Sequence, residues 1–167
     1  FDSEWGRPGS WDDVILQGPH LFVSTPCYKA PNETMLHNLD WSAIDLETLA
    51  EDAIPVTAYK PRGDRARYDA SYTHWGGDAN IPARSQYRIA WRRMAANTGE
   101  RTLITALIPP GAAHVNAVFS ARPRGASALE LLRAAATASS IVSDFLIRVV
   151  PAGDIYQATF ERLPELP

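Results

Sequence analysis

This sequence is short of the residues on which disulfide-built domains and most hydrolases depend. Its 167 residues hold one cysteine, Cys27, which excludes an internal disulfide and a cysteine-rich zinc site. Without a neighbouring base in sequence, that thiol reads as a small buried residue rather than a nucleophile. Only two lysines occur, Lys29 and Lys60, and neither follows an acid at the two-residue spacing of PD-(D/E)xK nucleases. No GxxxxGK[ST] or GxGxxG loop is present to cradle a phosphate, and neither a GxSxG elbow nor an HExxH helix appears. The four histidines, His20, His37, His74 and His114, lie far apart. His37 with Asp40 and Asp45 offers a conceivable metal cluster, but ordinary surface or core roles account for these residues better. No apolar run approaches the ~20 residues that span a bilayer, so no membrane partner is expected. The chain opens at Phe1 without a methionine or a signal-like stretch. It reads as one domain, 1–167, excised from a longer cytoplasmic protein.

What is abundant is arginine, and it is unevenly placed. Residues 1–59 carry two basic and ten acidic side chains, a net of −8. Residues 60–101 carry nine basic and four acidic, a net of +5, and residues 102–167 carry five of each. Eight of the nine cations in the middle block are arginine, whose planar fork suits phosphates and guanine edges. They are interleaved with Tyr59, Tyr68, Tyr72, Trp75, Tyr87 and Trp91. Aromatics of this kind can stack on an unpaired base. Tyr59, Tyr87 and Trp91 are expected in the core, whereas Tyr68, Tyr72, His74 and Trp75 sit in a polar stretch that favours exposure.

The patterning points to an α+β domain: a β-rich, largely antiparallel twisted sheet with a C-terminal helical segment packed on it. Residues 1–12 read as an irregular lead-in. Val14–Leu16 and Leu21–Ser24 read as short strands around a turn, Asp40–Ala50 as a short helix, and Pro55–Tyr59 as a strand. Arg62–Ala83 reads as a long surface loop with a hairpin at Gly76-Gly77. In Gln86–Met94 a strand puts Tyr87, Ile89 and Trp91 on one side and Arg88 and Arg92 on the other. Leu103–Ile108 is a buried strand ended by Pro109-Pro110-Gly111, and His114–Ser120 follows as its antiparallel partner. Ser127-Ala-Leu-Glu130 has capping-box spacing and opens a helix with Leu129, Leu132 and Ala136 inward. A second helical stretch runs through Ile141, Val142, Phe145 and Leu146, with Asp144 and Arg148 spaced to pair. The tail from Phe160 reads as strand or extended chain.

Two stretches carry a likeness: Tyr87-Arg-Ile-Ala-Trp-Arg-Arg-Met-Ala, and Thr98-Gly-Glu-Arg-Thr-Leu-Ile-Thr-Ala-Leu-Ile-Pro-Pro-Gly. They resemble the C-terminal target-recognition region of large bacterial adenine-N6 DNA methyltransferases, such as type IIG restriction–modification enzymes and BREX-type phage-defence methylases. Leu131–Arg148, with Ser139-Ser140 and Asp144-Phe145, is similar to the helix that follows the recognition sheet. Leu163-Pro-Glu-Leu-Pro resembles the Leu-Pro-x-x-Pro element that closes the module. The likeness covers about half the chain. The Asn/Asp-Pro-Pro-Tyr/Phe loop that grips the target base is absent, and Ile108-Pro-Pro-Gly does not replace it, which fits a recognition domain without its catalytic half.

The resemblance implies sequence-specific binding of double-stranded DNA, with the methyltransferase domain of the same polypeptide as the second partner. No catalytic residue, cofactor site or metal site is expected in this chain; S-adenosylmethionine would belong to the parent. The expected DNA contacts are Arg84, Arg88, Arg92 and Arg93, then Arg62, Arg65, Arg67, Tyr72 and Trp75. The competing reading is a protein-interaction domain. It predicts that the arginines pair with acids of residues 1–59 and leave no continuous positive surface. A third, a hydrolase or nuclease with an unfamiliar metal site, needs His37, Asp40 or His114 gathered in one cleft.

Overall fold

Alternating side chains on one central strand organise the whole fold. In a computed structural model, which describes residues 2–37, 39–75, 81–149 and 153–164, the described residues form eleven short strands and four α-helices. The strands are β1 (Asp2–Glu4), β2 (Ile15–Leu16), β3 (Lys29–Pro31), β4 (Trp41–Ala43), β5 (Lys60–Arg62), β6 (His74–Trp75), β7 (Ile81–Pro82), β8 (Arg88–Arg92), β9 (Thr105–Ile108), β10 (Ala113–His114) and β11 (Val118–Ala121). The helices are α1 (Arg65–Ser71), α2 (Ala128–Ser139), α3 (Ile141–Arg148) and α4 (Gln157–Phe160). The class is α+β, with small, mainly antiparallel sheets and helices gathered at the C-terminal end.

The principal sheet has the order β11-β8-β9, and both pairings are antiparallel. Leu103–Ile108 and His114–Ser120 therefore do not pair with each other, as the sequence suggested; each flanks β8 instead. Because successive side chains of β8 point to opposite faces, Ile89 and Trp91 go one way and Arg88, Ala90 and Arg92 the other. Ala90 sits opposite Ala106, and Ile89 opposite Leu107. On the first face, Ile89 packs with Leu131 and Ala138 of α2, while Trp91 packs with Leu103, Ile147 and Ile155. Trp91 also stacks on Phe160 at 4.1 Å and donates its indole N–H to the Ile155 carbonyl at 2.8 Å. The second face is covered by the N-terminal segment, whose Val14, Leu16 and Leu21 join Ala90, Ala106, Ile108 and Val118 in one cluster. A sheet buried on both faces removes a large apolar area from water at about 25 cal/mol per Å², and it leaves no solvent-facing side for the arginines.

Several local expectations are corrected by tertiary pairing. The 62–83 stretch is not one loop: Asp64 accepts from the Ala66 and Arg67 amides and caps α1, while Tyr68 is buried beneath it. A seven-residue helix is too short to show periodicity in a polar sequence. β6 and β7 pair antiparallel, but the Gly76-Gly77 hairpin turn lies outside the described residues. Asp40–Ala50 holds no helix, because Trp41–Ala43 pairs with Lys29–Pro31 and the Asp45 carboxylate accepts from the Glu47 amide in a turn. Leu21–Ser24 is a tight turn bridged by Phe22 and Thr25 rather than a strand. The strand expected at 55–59 forms later, where Lys60–Arg62 meets Asp2–Glu4 of the supposed lead-in. The tail forms no strand: from Phe160, the last residue of α4, it continues as a turn, and 165–167 lie outside the described residues.

The C-terminal helices start as their sequence demands but face differently. Ser127 accepts from the Glu130 amide while Glu130 reaches back to Ser127, completing the capping box. Leu131 and Ala138 turn inward, and Leu129, Leu132 and Ala136 are exposed. Both stripes of this alanine-rich helix are apolar, so periodicity alone did not choose between them. On α3, Ile141, Val142, Phe145 and Val149 form a second exposed apolar stripe. Of the aromatics expected inside, Trp91 is buried, whereas Tyr59 and Tyr87 are exposed.

Candidate functional site

Arg84, Arg88 and Arg92 of the basic block are interior clamps rather than parts of an open positive surface. Arg84 is 4% exposed and Arg88 is 0% exposed. Neither reaches a duplex from these positions, which corrects the expectation that both contact DNA. The reason lies in the pleat: Arg88 and Arg92 point to the face that the N-terminal segment covers.

Arg84 follows β7 in a single 3-10 turn, Ala83–Ser85. It pairs with Asp69 of α1, donates to the Asp12 carbonyl at 3.0 Å, and donates from Nε to the Gly111 carbonyl at 3.1 Å. Its guanidinium lies 4.7 Å from the Tyr68 ring centre, and Arg65 approaches the same ring at 5.6 Å. Arg65 also pairs with Asp13. Two arginines and one buried tyrosine thus tie α1, residues 12–13 and the Pro109-Pro110-Gly111 turn together. Burial raises the Tyr68 pKa, with Arg84 opposing that shift. Gly111 is required here: its φ is +93°, and a Cβ would stand 2.6 Å from the Asp12 carboxylate and 2.9 Å from the Trp11–Asp12 backbone.

Arg88 donates to the Ala112 carbonyl, to Tyr72 Oη at 3.4 Å and to Ser120 Oγ at 3.3 Å. Ser120 Oγ in turn meets His114 Nε2 at 2.9 Å. Burial pulls the Arg88 pKa below its ordinary value, with Tyr72 opposing, and holds His114 at about 4. His114 is therefore a neutral member of an interior network, apart from His37 and Asp40. Arg92 is half-buried, donates to the Leu21 carbonyl, and has its pKa lowered by burial.

The remaining expected contacts divide. Arg93 is partly exposed and lies 3.4 Å from Asp154. Arg62 is exposed beside Glu4, which also takes Lys60. Arg67 is exposed on α1, and Tyr72 and Trp75 are half-buried. Lys60, Arg62, Arg65 and Arg84 each pair with an acid of residues 1–59, the arrangement that the interaction-domain reading predicts.

A second site joins the stretches that carry the family likeness. The loop from β8 to β9 contains Thr98-Gly-Glu-Arg101, and α3 grips it. Asp144, buried in the first turn of α3, accepts from the Thr102 amide at 2.7 Å and the Leu103 amide at 2.8 Å. Arg148, 3.8 Å from Asp144, donates to the carbonyls of Gly99 and Glu100 and to Thr102 Oγ1. The i,i+4 spacing predicted the Asp144–Arg148 pair. Nothing in the sequence showed that the same carboxylate caps two amides some forty residues away.

Among the described residues, no group of three or more His, Cys, Asp or Glu side chains is placed to hold a metal ion, and no helix is long and apolar enough to cross a membrane. Compared with protein-family models, curated proteins and solved structures, the chain matches none of them.

Proposed function

We propose that this chain is the sequence-specific DNA-recognition domain of an adenine-N6 DNA methyltransferase or restriction–modification enzyme, non-catalytic by itself. The observation that supports it is the α3 clamp. Three separated stretches that resemble the recognition module, Tyr87–Gly111, Leu131–Arg148 and the element opening at Leu163, meet through Asp144, Arg148 and the packing of Leu163 on the Trp91 cluster. In this reading the S-adenosylmethionine chemistry and base flipping belong to the methyltransferase domain of the parent polypeptide. The exposed stripes of α2 and α3 are where that domain packs. Arg84, Arg88 and Arg92 hold the recognition sheet rigid, and surface cations make the phosphate contacts that set register.

The test is selection of bound duplexes from a randomised pool by the longer protein that carries this domain, repeated across salt concentrations. Enrichment of a defined motif with a negative salt slope is expected. Absence of both enrichment and salt dependence would falsify the proposal.

A second reading, a protein-interaction domain without nucleic-acid binding, is favoured by one observation. Glu4, Asp12 and Asp13 pair with Lys60, Arg62, Arg65 and Arg84 within the fold, while Phe145 and Ile141 stand 61% and 64% exposed. Phe145→Ser separates the two. It abolishes function on the second reading, and on the first it weakens domain docking while leaving duplex binding by the isolated chain intact.

A further inference from the structure

With Arg84 and Arg88 of the basic block buried, exposed cations also stand in a part of the chain whose composition is neutral. Residues 102–167 have five cations and five acids, but the fold uses them unequally. Asp144 is buried at the α3 clamp with Arg148, and Asp154 is taken by Arg93. Arg124, Arg133 and Arg162 are exposed, and none has a carboxylate within ion-pair distance among the described residues. Arg122 is partly exposed and preset: it donates to the Tyr87 carbonyl at 3.2 Å and the Ala126 carbonyl at 2.7 Å.

Three of these four arginines border one feature. An open groove of about 620 Å³ runs between the end of β11, the Glu130–Arg133–Thr137 side of α2, and α4. Arg122, Arg124 and Arg133 line it, with Phe160 and Leu163 as apolar floor. Its two carboxylates are already engaged. Glu130 accepts from the Ser127 amide and hydroxyl, which holds its pKa below the ordinary value, and Glu161 accepts from Gln157. Gly125, at φ +68° after Pro123, turns the Arg122-Pro-Arg124 segment sharply toward α2. The groove therefore carries three guanidinium groups, of which Arg122 is held by two carbonyls, against two carboxylates that are each hydrogen-bonded within their own helix or its cap.

We infer that this groove, rather than the arginines of β8, seats the phosphodiester backbone of the bound DNA duplex, with Arg124 and Arg133 as the phosphate contacts and Arg122 as the preset wall between them. The inference rests on the recognition-domain reading and deepens it. Free guanidinium groups lose no internal partner on meeting a phosphate. Arg84 and Arg88 would have to abandon Gly111, Ala112 and Asp69. Phosphate contacts of this kind position the duplex and carry no sequence information themselves.

The experiment measures duplex affinity of the chain, and of the longer protein carrying it, across salt concentrations by fluorescence anisotropy. The variants are Arg124→Ala/Arg133→Ala, its charge-reversed counterpart Arg124→Glu/Arg133→Glu, and Arg7→Ala as a control exposed elsewhere beside Glu33. Each phosphate contact contributes about 0.9 to the slope of log affinity against log salt, so the double alanine variant loses roughly 1.8 of that slope. The loss is the same for every duplex sequence, the charge reversal deepens it, and Arg7→Ala leaves the slope alone. An unchanged slope in both double variants, with wild-type binding intact, overturns the groove assignment and leaves the recognition-domain reading standing. No salt-dependent binding by either wild-type protein removes that reading and the groove with it. Equal binding of polyglutamate, lost in parallel in the double variant, also overturns the assignment by making the groove a site for acidic polypeptide.

Discussion

Asp144→Ala should loosen the joint between α3 and the sheet without touching any proposed DNA contact. The carboxylate is buried and accepts from two buried amides, Thr102 at 2.7 Å and Leu103 at 2.8 Å. Each amide left without a partner costs about 1–3 kcal/mol. The Arg148 pair adds less, because the arginine is 36% exposed and the separation is 3.8 Å. A loss of about 3–4 kcal/mol follows, a large share of the roughly 5–15 kcal/mol that holds a typical domain. For a domain of this size the midpoint of thermal unfolding should fall by on the order of 10 °C. Asp144→Asn keeps one acceptor oxygen and should lose about 1 kcal/mol. Calorimetry on the two variants and on Asp144→Ala/Arg148→Ala measures the separate contributions. If Asp144→Ala melts cooperatively within about 2 °C of wild type, the amide-capping argument is wrong and the loop is held by its apolar neighbours.

Three other outcomes follow from the same contacts. His20 accepts from the Gln17 amide at Nδ1 and lies 2.9 Å from the Val56 carbonyl at Nε2, and burial lowers its pKa to about 4. The unfolded chain then binds the proton more readily, so stability is full above about pH 6.5 and falls as pH drops toward 4; between pH 7 and 5 His20 should account for about 2 kcal/mol. His114 adds a loss of the same sign, and urea titrations should show a shallower pH dependence in His20→Gln. Arg88→Ala removes a fully buried side chain and orphans the Ala112 carbonyl, so unfolding should be easier by about 3 kcal/mol or more. An arginine serving only as a surface contact would change stability by less than ~0.5 kcal/mol, and urea unfolding without DNA separates the two cases. Gly111→Ala should cost about 2 kcal/mol or more through its positive φ and the contact with residue 12, and a thermal melt matching wild type would refute that.

The side-chain alternation of β8, the capping box of α2 and the pairing of Asp144 with Arg148 were all legible in the sequence, because each depends on residues within a few positions of one another. Alternation even divided β8 correctly, with Ile89 and Trp91 opposite Arg88 and Arg92. What alternation does not contain is what covers each face. Residues 14–22 fold over the arginine side, and that contact, distant in sequence, turned the expected DNA-binding arginines into clamps. The same limit explains α2, whose two apolar stripes are equivalent by composition until Ile89 and Leu107 select the one bearing Leu131 and Ala138. Charge was the most misleading local quantity. Four cations of the +5 block meet Glu4, Asp12 and Asp13 of the N-terminal third, while Arg124, Arg133 and Arg162 of the neutral C-terminal third stay exposed with no carboxylate at ion-pair distance among the described residues. By itself the sequence determined the class of fold, the central strands and the start of α2, all set by nearest neighbours along the chain. Tertiary structure alone decided which cations remain free, because ion pairing follows distance in space.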